Sequence, residues 1–257
     1  MRILVIPDCQ VKPGVPTEHL EWAGKAICEY RPDVVVNIGD FADMPSLSTH
    51  DKAGSKYFEG KRYKDDIAAA KEGMKKLLAP LRTLQKTQKE SKHKVYKPRM
   101  VLTLGNHENR INRAVANSPI LEGVISIKDL DYERDWEVVE FIRPIFIGGV
   151  GFSHYWPTGA MGRPAASANT IISKLHQSCV AGHQQGKQVA YGKRADGTPI
   201  CAIIAGSYYL HDEDYMDSLS NIHWRGLVVL NEVKDGAFDE MFLSMNYLKG
   251  KYGSESN

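Results

Sequence analysis

Short, wholly apolar runs alternate along this chain with longer stretches whose apolar residues return every three or four positions. RILVIP, at residues 2–7, reads as a buried strand. From Thr17 to Tyr30 the pattern is helical, with Pro16 just before and Thr17 at the capping position. DVVVNIG predicts a second strand and MVLTLG a third, after which NRINRAVAN begins another helix. WEVVEF and IFIGGVGFSHY read as strands, residues 164–177 as a helix started by Pro164, and CVAG as a short strand. Two hairpins close the chain, turning at Asp196-Gly197 and Asp235-Gly236. Alternation of this kind predicts an α/β fold.

Between the second and third strands lies a polar helical region, roughly residues 60–92. Ile67, Ala70, Met74, Leu77, Leu81 and Leu84 form one apolar stripe there, with Lys on the other faces. Pro80 is expected to kink or restart this helix.

Composition sets the broad class. The chain has 257 residues, 42% hydrophobic and 25% charged, enough for a large core in one compact domain. Charges interrupt every apolar run, so no membrane span is expected. Residues 1–20 lack a signal-peptide pattern. Cys9, Cys28, Cys179 and Cys201 have no CxxC spacing and read as reduced thiols, which suits a cytoplasmic location. Nothing in the sequence sets an oligomeric state.

Net charge is only +2, but its distribution is uneven. Residues 44–99 carry 15 Lys plus Arg against 6 Asp plus Glu, a local excess of +9. The plain reading is a helix packed on the sheet with a solvated basic face. The functional reading is a face that tracks a phosphate backbone.

Candidate chemistry gathers where the apolar runs stop. The first ends in Asp8-Cys9-Gln10, the second in Gly39-Asp40-Phe41-Ala42-Asp43, the third in Gly105-Asn106-His107-Glu108. Later runs end in Ser153-His154-Tyr155 and Gly182-His183-Gln184-Gln185. In α/β sheets the carboxyl ends of strands form the binding rim. Carboxylates, amide oxygens and imidazoles together suit Mn, Fe, Zn or Mg.

GDFAD, GNHE, SH and GHQQ, in this order, resemble the calcineurin-like metallophosphoesterase superfamily, whose pattern reads DxH, GDxxD, GNHE or GNHD, H, and GHxH. PDCQVKPG, GDFADMPSLS and GNHENRI make the chain look like the small members often encoded by bacteriophages, which would place it in a host cytoplasm. The resemblance implies a four-layer α/β/β/α sandwich over residues 1–257, in which the basic helical stretch at about 44–99 reads as an insertion after the second strand. It also implies two divalent ions bridged by Asp40. One would take Asp40, Asn106, His154 and His183; the other would take Asp8, Asp40 and two histidines, but those positions hold Gln10 and Gln185. An amide oxygen in place of an imidazole nitrogen favours harder ions, with Mn foremost and Mg next, over Zn or Fe. That position then binds Mn or Mg through oxygen, fills only with substrate, or stays empty. Retention of Asp8 favours the first two.

The expected reaction is hydrolysis of a phosphoester by a hydroxide whose pKa a cation lowers. By the resemblance, His107 protonates the leaving oxygen and Asp43 orients it. Arg110, Arg113 and Arg163 are candidates for phosphate contact, and Arg110 equally suits a surface ion pair. Tyr155 and Trp156 could stack on a base or anchor the core. His211, in LHDEDY, reads as part of a solvated loop. His19, His50, His93, His176 and His223 match no motif and read as structural. Cys9 should point away from the metal. The favoured function is a phosphodiesterase acting on nucleic acid, most simply a nuclease. The alternatives are a small-molecule or protein phosphatase and a non-catalytic scaffold.

Overall fold

The computed structural model describes residues 1–49, 59–212 and 223–253. His50 lies outside them, as do Lys52 and Lys56 of the basic segment. Among the described residues, β1 (Ile3–Ile6), α1 (Glu18–Tyr30), β2 (Val34–Asn37), α2 (Tyr63–Glu90), β3 (Arg99–Thr103), α3 (Asn109–Asn117) and β4 (Glu137–Val139) form the first half. The second half holds β5 (Ile145–Ile147), β6 (Val150–Ser153), α4 (Ala168–Leu175), β7 (Cys179–Ala181), β8 (Lys187–Lys193), β9 (Pro199–Ala205), β10 (Gly226–Lys234), β11 (Ala237–Ser244) and α5 (Met245–Tyr252).

Two sheets result. One has six strands in the order β11-β10-β1-β2-β3-β4, with β1 to β4 parallel. The other has five, β5-β6-β7-β9-β8, with β6, β7 and β9 parallel. Period-two alternation explains how they stack. Ile3 and Val5 of β1, Val228 and Leu230 of β10, Phe152 of β6, Val180 of β7 and Ile203 of β9 meet in the core between the sheets. Their strand neighbours Leu4, Ile6, Leu227 and Val229 face α1, α2 and α5. Cys179, Ala181, Ala202 and Ile204 face α4. The layers are therefore helix, sheet, sheet, helix. No helix among the described residues is long and apolar enough to cross a membrane.

The α2 stripe is buried as its spacing requires, except that Leu84 is only partly covered. Leu77 is fully buried, and its truncation to Ala would cost about 2–5 kcal/mol. Pro80 does not break the helix, which runs unbroken through it. Packing compensates: α1 places Gly24 where any Cβ would stand 2.3 Å from the Leu77 carbonyl oxygen and 2.8 Å from the Pro80 ring. The two helices thus seat closely around the proline. The start of α2 is tied to the rim, because buried Asp66 accepts a hydrogen bond from the Ser46 N–H at 2.9 Å.

Other boundaries differ from expectation. Pro164 does not start α4. Ser167 does, its hydroxyl accepting from the Thr170 N–H. Thr17 precedes α1 as expected but makes no side-chain cap, since its hydroxyl instead meets Lys76 Nζ at 2.7 Å. IFIGGVGFSHY is two antiparallel strands, β5 and β6, that turn at Gly148-Gly149. Helix α5 was not expected; Ser244 caps it and Leu248 is fully buried under it.

Candidate metal centre

Strands β1, β2, β3, β6 and β7 all stop within three residues of a side chain that can hold a cation. The loops beyond them carry left-handed backbone at Gln10, Asp40, His183 and Gln185, with φ of 45°, 49°, 67° and 57°. Non-glycine residues enter that region at a cost of about 1–2 kcal/mol each, so neighbours must hold them there. Gln10 N–H donates to the Asp40 carbonyl at 2.8 Å. Asp40 N–H donates to Glu108 Oε2 at 3.0 Å. His183 N–H donates to the Asp8 carboxylate at 3.1 Å.

Glu108 is a residue whose role the sequence did not reveal. It is fully buried, and it also accepts from the N–H groups of Gly105 and Ala42, at 2.9 Å each. One carboxylate thus clamps the loop after β2 onto the loop after β3. The approach is so close that a Cβ on Gly105 would stand 2.0 Å from Asp40 Oδ1. Gly182 is equally constrained, its Cβ position lying 2.4 Å from Asp8 Oδ1.

On one side of Asp40, donor atoms converge. His154 Nδ1 lies 2.9 Å from the Ile38 carbonyl, which fixes its ring and turns Nε2 inward. That Nε2 is 3.2 Å from Asp40 Oδ2 and 2.9 Å from Asn106 Oδ1. His183 Nδ1 is 2.8 Å from the same Asn106 oxygen. The ligand atoms of Asp40, His154 and His183 all lie within 4.8 Å of one another. With Nδ1–H given to Ile38, Nε2 turns toward two oxygens; burial lowers this imidazole, but the Asp40 and Asp8 carboxylates raise it to about 9, so in the absence of a cation a proton answers them. Such a set calls for a positive charge at its centre, and it fits a divalent cation.

Asp8 is buried, and burial together with the Asp40 charge pushes its carboxyl up to about 7 against the pull of His154. Asp40 feels burial too, but the imidazoles of His107 and His154 outweigh it and hold the carboxyl well below the usual range. Burial and the His154 charge draw His183 down to about 4, favouring the neutral form a metal ligand needs.

Gln10 and Gln185 complete the rim differently. Cys9 packs into the helix-side core, away from the Asp8 carboxylate that receives the His183 N–H, as expected. The Gln10 amide is buried, and neither its oxygen nor its nitrogen has a hydrogen-bond partner. A buried orphan polar group costs ~1–3 kcal/mol, and ligation through Oε1 would offset the oxygen's share. Gln185 is also buried, but its Oε1 accepts from the Tyr209 hydroxyl at 2.8 Å.

Beside the ligand set, His107 Nδ1 lies 2.6 Å from Asp43 Oδ1, and its backbone N–H donates to Asp40 Oδ1 at 2.9 Å. Burial lowers the His107 pKa, but the Asp40 and Asp43 carboxylates overcome it and raise the imidazole above its ordinary value. Asp43 also meets Lys12 Nζ at 3.1 Å, a contact the sequence did not suggest. Despite burial, His107, Lys12 and Arg110 hold the Asp43 carboxyl well below the usual range.

The three arginines separate. Arg110 is not a surface residue: Nη1 donates to the Asp43 carbonyl at 2.8 Å, and Nη2 lies 3.3 Å from His107 Nε2. Arg113 is exposed and donates to Thr49 Oγ1. Arg163 is exposed on the 157–164 loop, and its backbone pairs with Gly159 and Ala160 within that loop. Neither is brought to the ligand set as Arg110 is. Trp156 is a core anchor, its Nε1 donating to the Val180 carbonyl. Tyr155 stays at the rim, its ring 5.1 Å from that of His183. His211 stacks on Tyr209 at 4.7 Å.

The sequence pattern of the calcineurin-like phosphoesterase family (Metallophos) matches residues 1–239. The chain belongs to this family. Membership supports a metal-dependent hydrolase of phosphoester bonds and accords with the two-sheet sandwich. No curated protein matches the sequence. Among solved structures, the phosphoesterase Yfce from E. coli is similar at 11% identity, covering 94% of this chain and 98% of that one, with a TM-score of 0.39. Zinc-complexed Vps29 from Entamoeba histolytica is similar at 12% identity, covering 95% and 99%, with a TM-score of 0.40. Likenesses at these scores carry no argument about this chain's function.

Proposed function

We propose that this calcineurin-like phosphoesterase is a divalent-metal-dependent phosphodiesterase acting on nucleic acid, with Mn²⁺ as its preferred ion. The observation that supports it most is the His107–Asp43 pair set directly against the Asp40, Asn106, His154 and His183 donors. A cation held by those four residues, and more weakly beside Asp8, would supply Lewis-acid activation of water and neutralise phosphate charge. The chain's own residues supply the rest. Asp43 holds His107 through Nδ1, leaving Nε2 to give a proton to the leaving oxygen. Arg110 lies beside that Nε2, so a non-bridging oxygen of the same phosphate would come within its reach.

Nucleic acid as substrate rests on charge placement. Exposed Lys64, Lys71, Lys75, Lys86 and Lys89 lie along α2, whose start is tied to the rim by Asp66. The test compares Mn²⁺-dependent turnover of a bis-aryl phosphodiester, an aryl monoester and an oligonucleotide. The diester and the oligonucleotide should be hydrolysed, and the oligonucleotide reaction should weaken steeply with salt. Preference for the monoester would make the protein a phosphatase. No turnover with any divalent ion would leave a scaffold.

A further inference from the structure

Tyr209 lies just beyond β9 and is buried. One cation and one ring hold its own ring in place: the Arg225 guanidinium sits 4.8 Å from the ring centre, and His211 stacks on it. Its hydroxyl is 2.8 Å from Gln185 Oε1 and 3.0 Å from His223 Nδ1. A phenol has one proton to give. Given to Gln185, it leaves the phenol oxygen to accept from His223.

The consequence falls on Gln185. An amide is a planar fork with oxygen on one prong and NH₂ on the other, and only the oxygen has lone pairs for a cation. Here that oxygen faces Tyr209. A donated hydrogen bond also draws electron density from it and weakens it as a ligand. Gln10, in contrast, has both amide atoms unpartnered.

We propose that Tyr209 is a positioning residue that holds Gln185 by its carbonyl, so that the Asp8 side of the centre takes a divalent cation through Asp8, Asp40 and Gln10 without Gln185. That side then binds far more weakly than the histidine side. The proposal rests on reading the site as a divalent-cation centre, and its test separates the two.

The experiment is a Mn²⁺ titration of the full chain followed by the electron paramagnetic resonance signal of free Mn²⁺. Wild-type protein should bind one ion tightly and a second at least ~10-fold more weakly, the span that outer partners of metal ligands typically control. Tyr209→Phe keeps the ring and frees the Gln185 oxygen. It should tighten the second ion by about 10-fold and leave the first unchanged. Gln185→Ala, which spares Tyr209 should the phenylalanine variant misfold, should change neither affinity. Weakening of the second ion by either variant would overturn the proposal, because Tyr209 would then be presenting Gln185 as a ligand. Absence of any tight ion in the wild type would instead overturn the cation-centre reading itself, and this proposal with it.

Discussion

On one side of Asp40, two imidazoles and an amide oxygen crowd together, with His154 Nε2 only 3.2 Å from the Asp40 carboxylate. On the other is Asp8, with which the family pattern pairs two glutamines, one without partners and one held by Tyr209. The backbone does not distinguish them. Gln10 and Gln185 adopt the same left-handed conformation as Asp40 and His183. Both halves keep the strained loops of a binding rim and differ in the donor atoms those loops present. The difference teaches that one strained backbone geometry can present imidazoles at one position and amides at another, which under the proposed reading would make one cradle strong and the other weak.

The largest effect should come from removing what the halves share. Asp40→Asn should abolish tight ion binding and reduce hydrolysis to background, read by metal analysis and turnover. An ion retained in full would mean that the histidine half does not depend on the bridging carboxylate. His107→Ala should lower turnover by ~10²–10⁴-fold with ion content unchanged. Loss of the ion would move His107 from proton donor to ligand, and the comparison would need redrawing around it.

Exchanging the glutamines sharpens the contrast from the other side. Gln10→His with Gln185→His should raise Zn²⁺ affinity at the Asp8 side by roughly 10–100-fold, by analogy with the cost of disturbing a metal ligand's surroundings. Calorimetry showing no gain would mean that geometry, not donor type, weakens that half. Glu108→Gln leaves a single side-chain oxygen for the N–H groups of Asp40, Gly105 and Ala42. It should cost about 1–3 kcal/mol in urea unfolding and loosen the histidine half first. The smallest effect is expected far from both halves. Lys71→Glu with Lys75→Glu should weaken oligonucleotide turnover several-fold and flatten its salt dependence, while turnover of a small diester stays the same. Equal losses on both substrates would remove α2 from the substrate path.

Much of this architecture was legible because burial leaves a period in the sequence. Continuous apolar runs marked β1, β2 and β3, and NRINRAVAN coincides with α3. The clustering of polar residues just after those runs placed the rim. What escaped depends on partners distant in the chain. Glu108 takes its meaning from N–H groups more than sixty residues away, and Tyr209 from a glutamine 24 residues before it. Pro80 reads locally as a kink or restart, whereas Gly24 across the helix pair makes room for it. Helix α5 is short and polar, and what stabilises it is burial of Leu248 rather than its own pattern. The arginines teach the same point. Sequence placed three near phosphate, and only Arg110 is held against His107, by backbone carbonyls that the sequence does not display.

The inequality of the two halves is tested most directly by a crystal of the protein soaked in Mn²⁺ and measured for anomalous scattering. The account predicts one strong peak bounded by Asp40, Asn106, His154 and His183, and a weaker one, if any, beside Asp8 and Gln10. Two peaks of equal height, or a stronger peak beside Asp8, would contradict it.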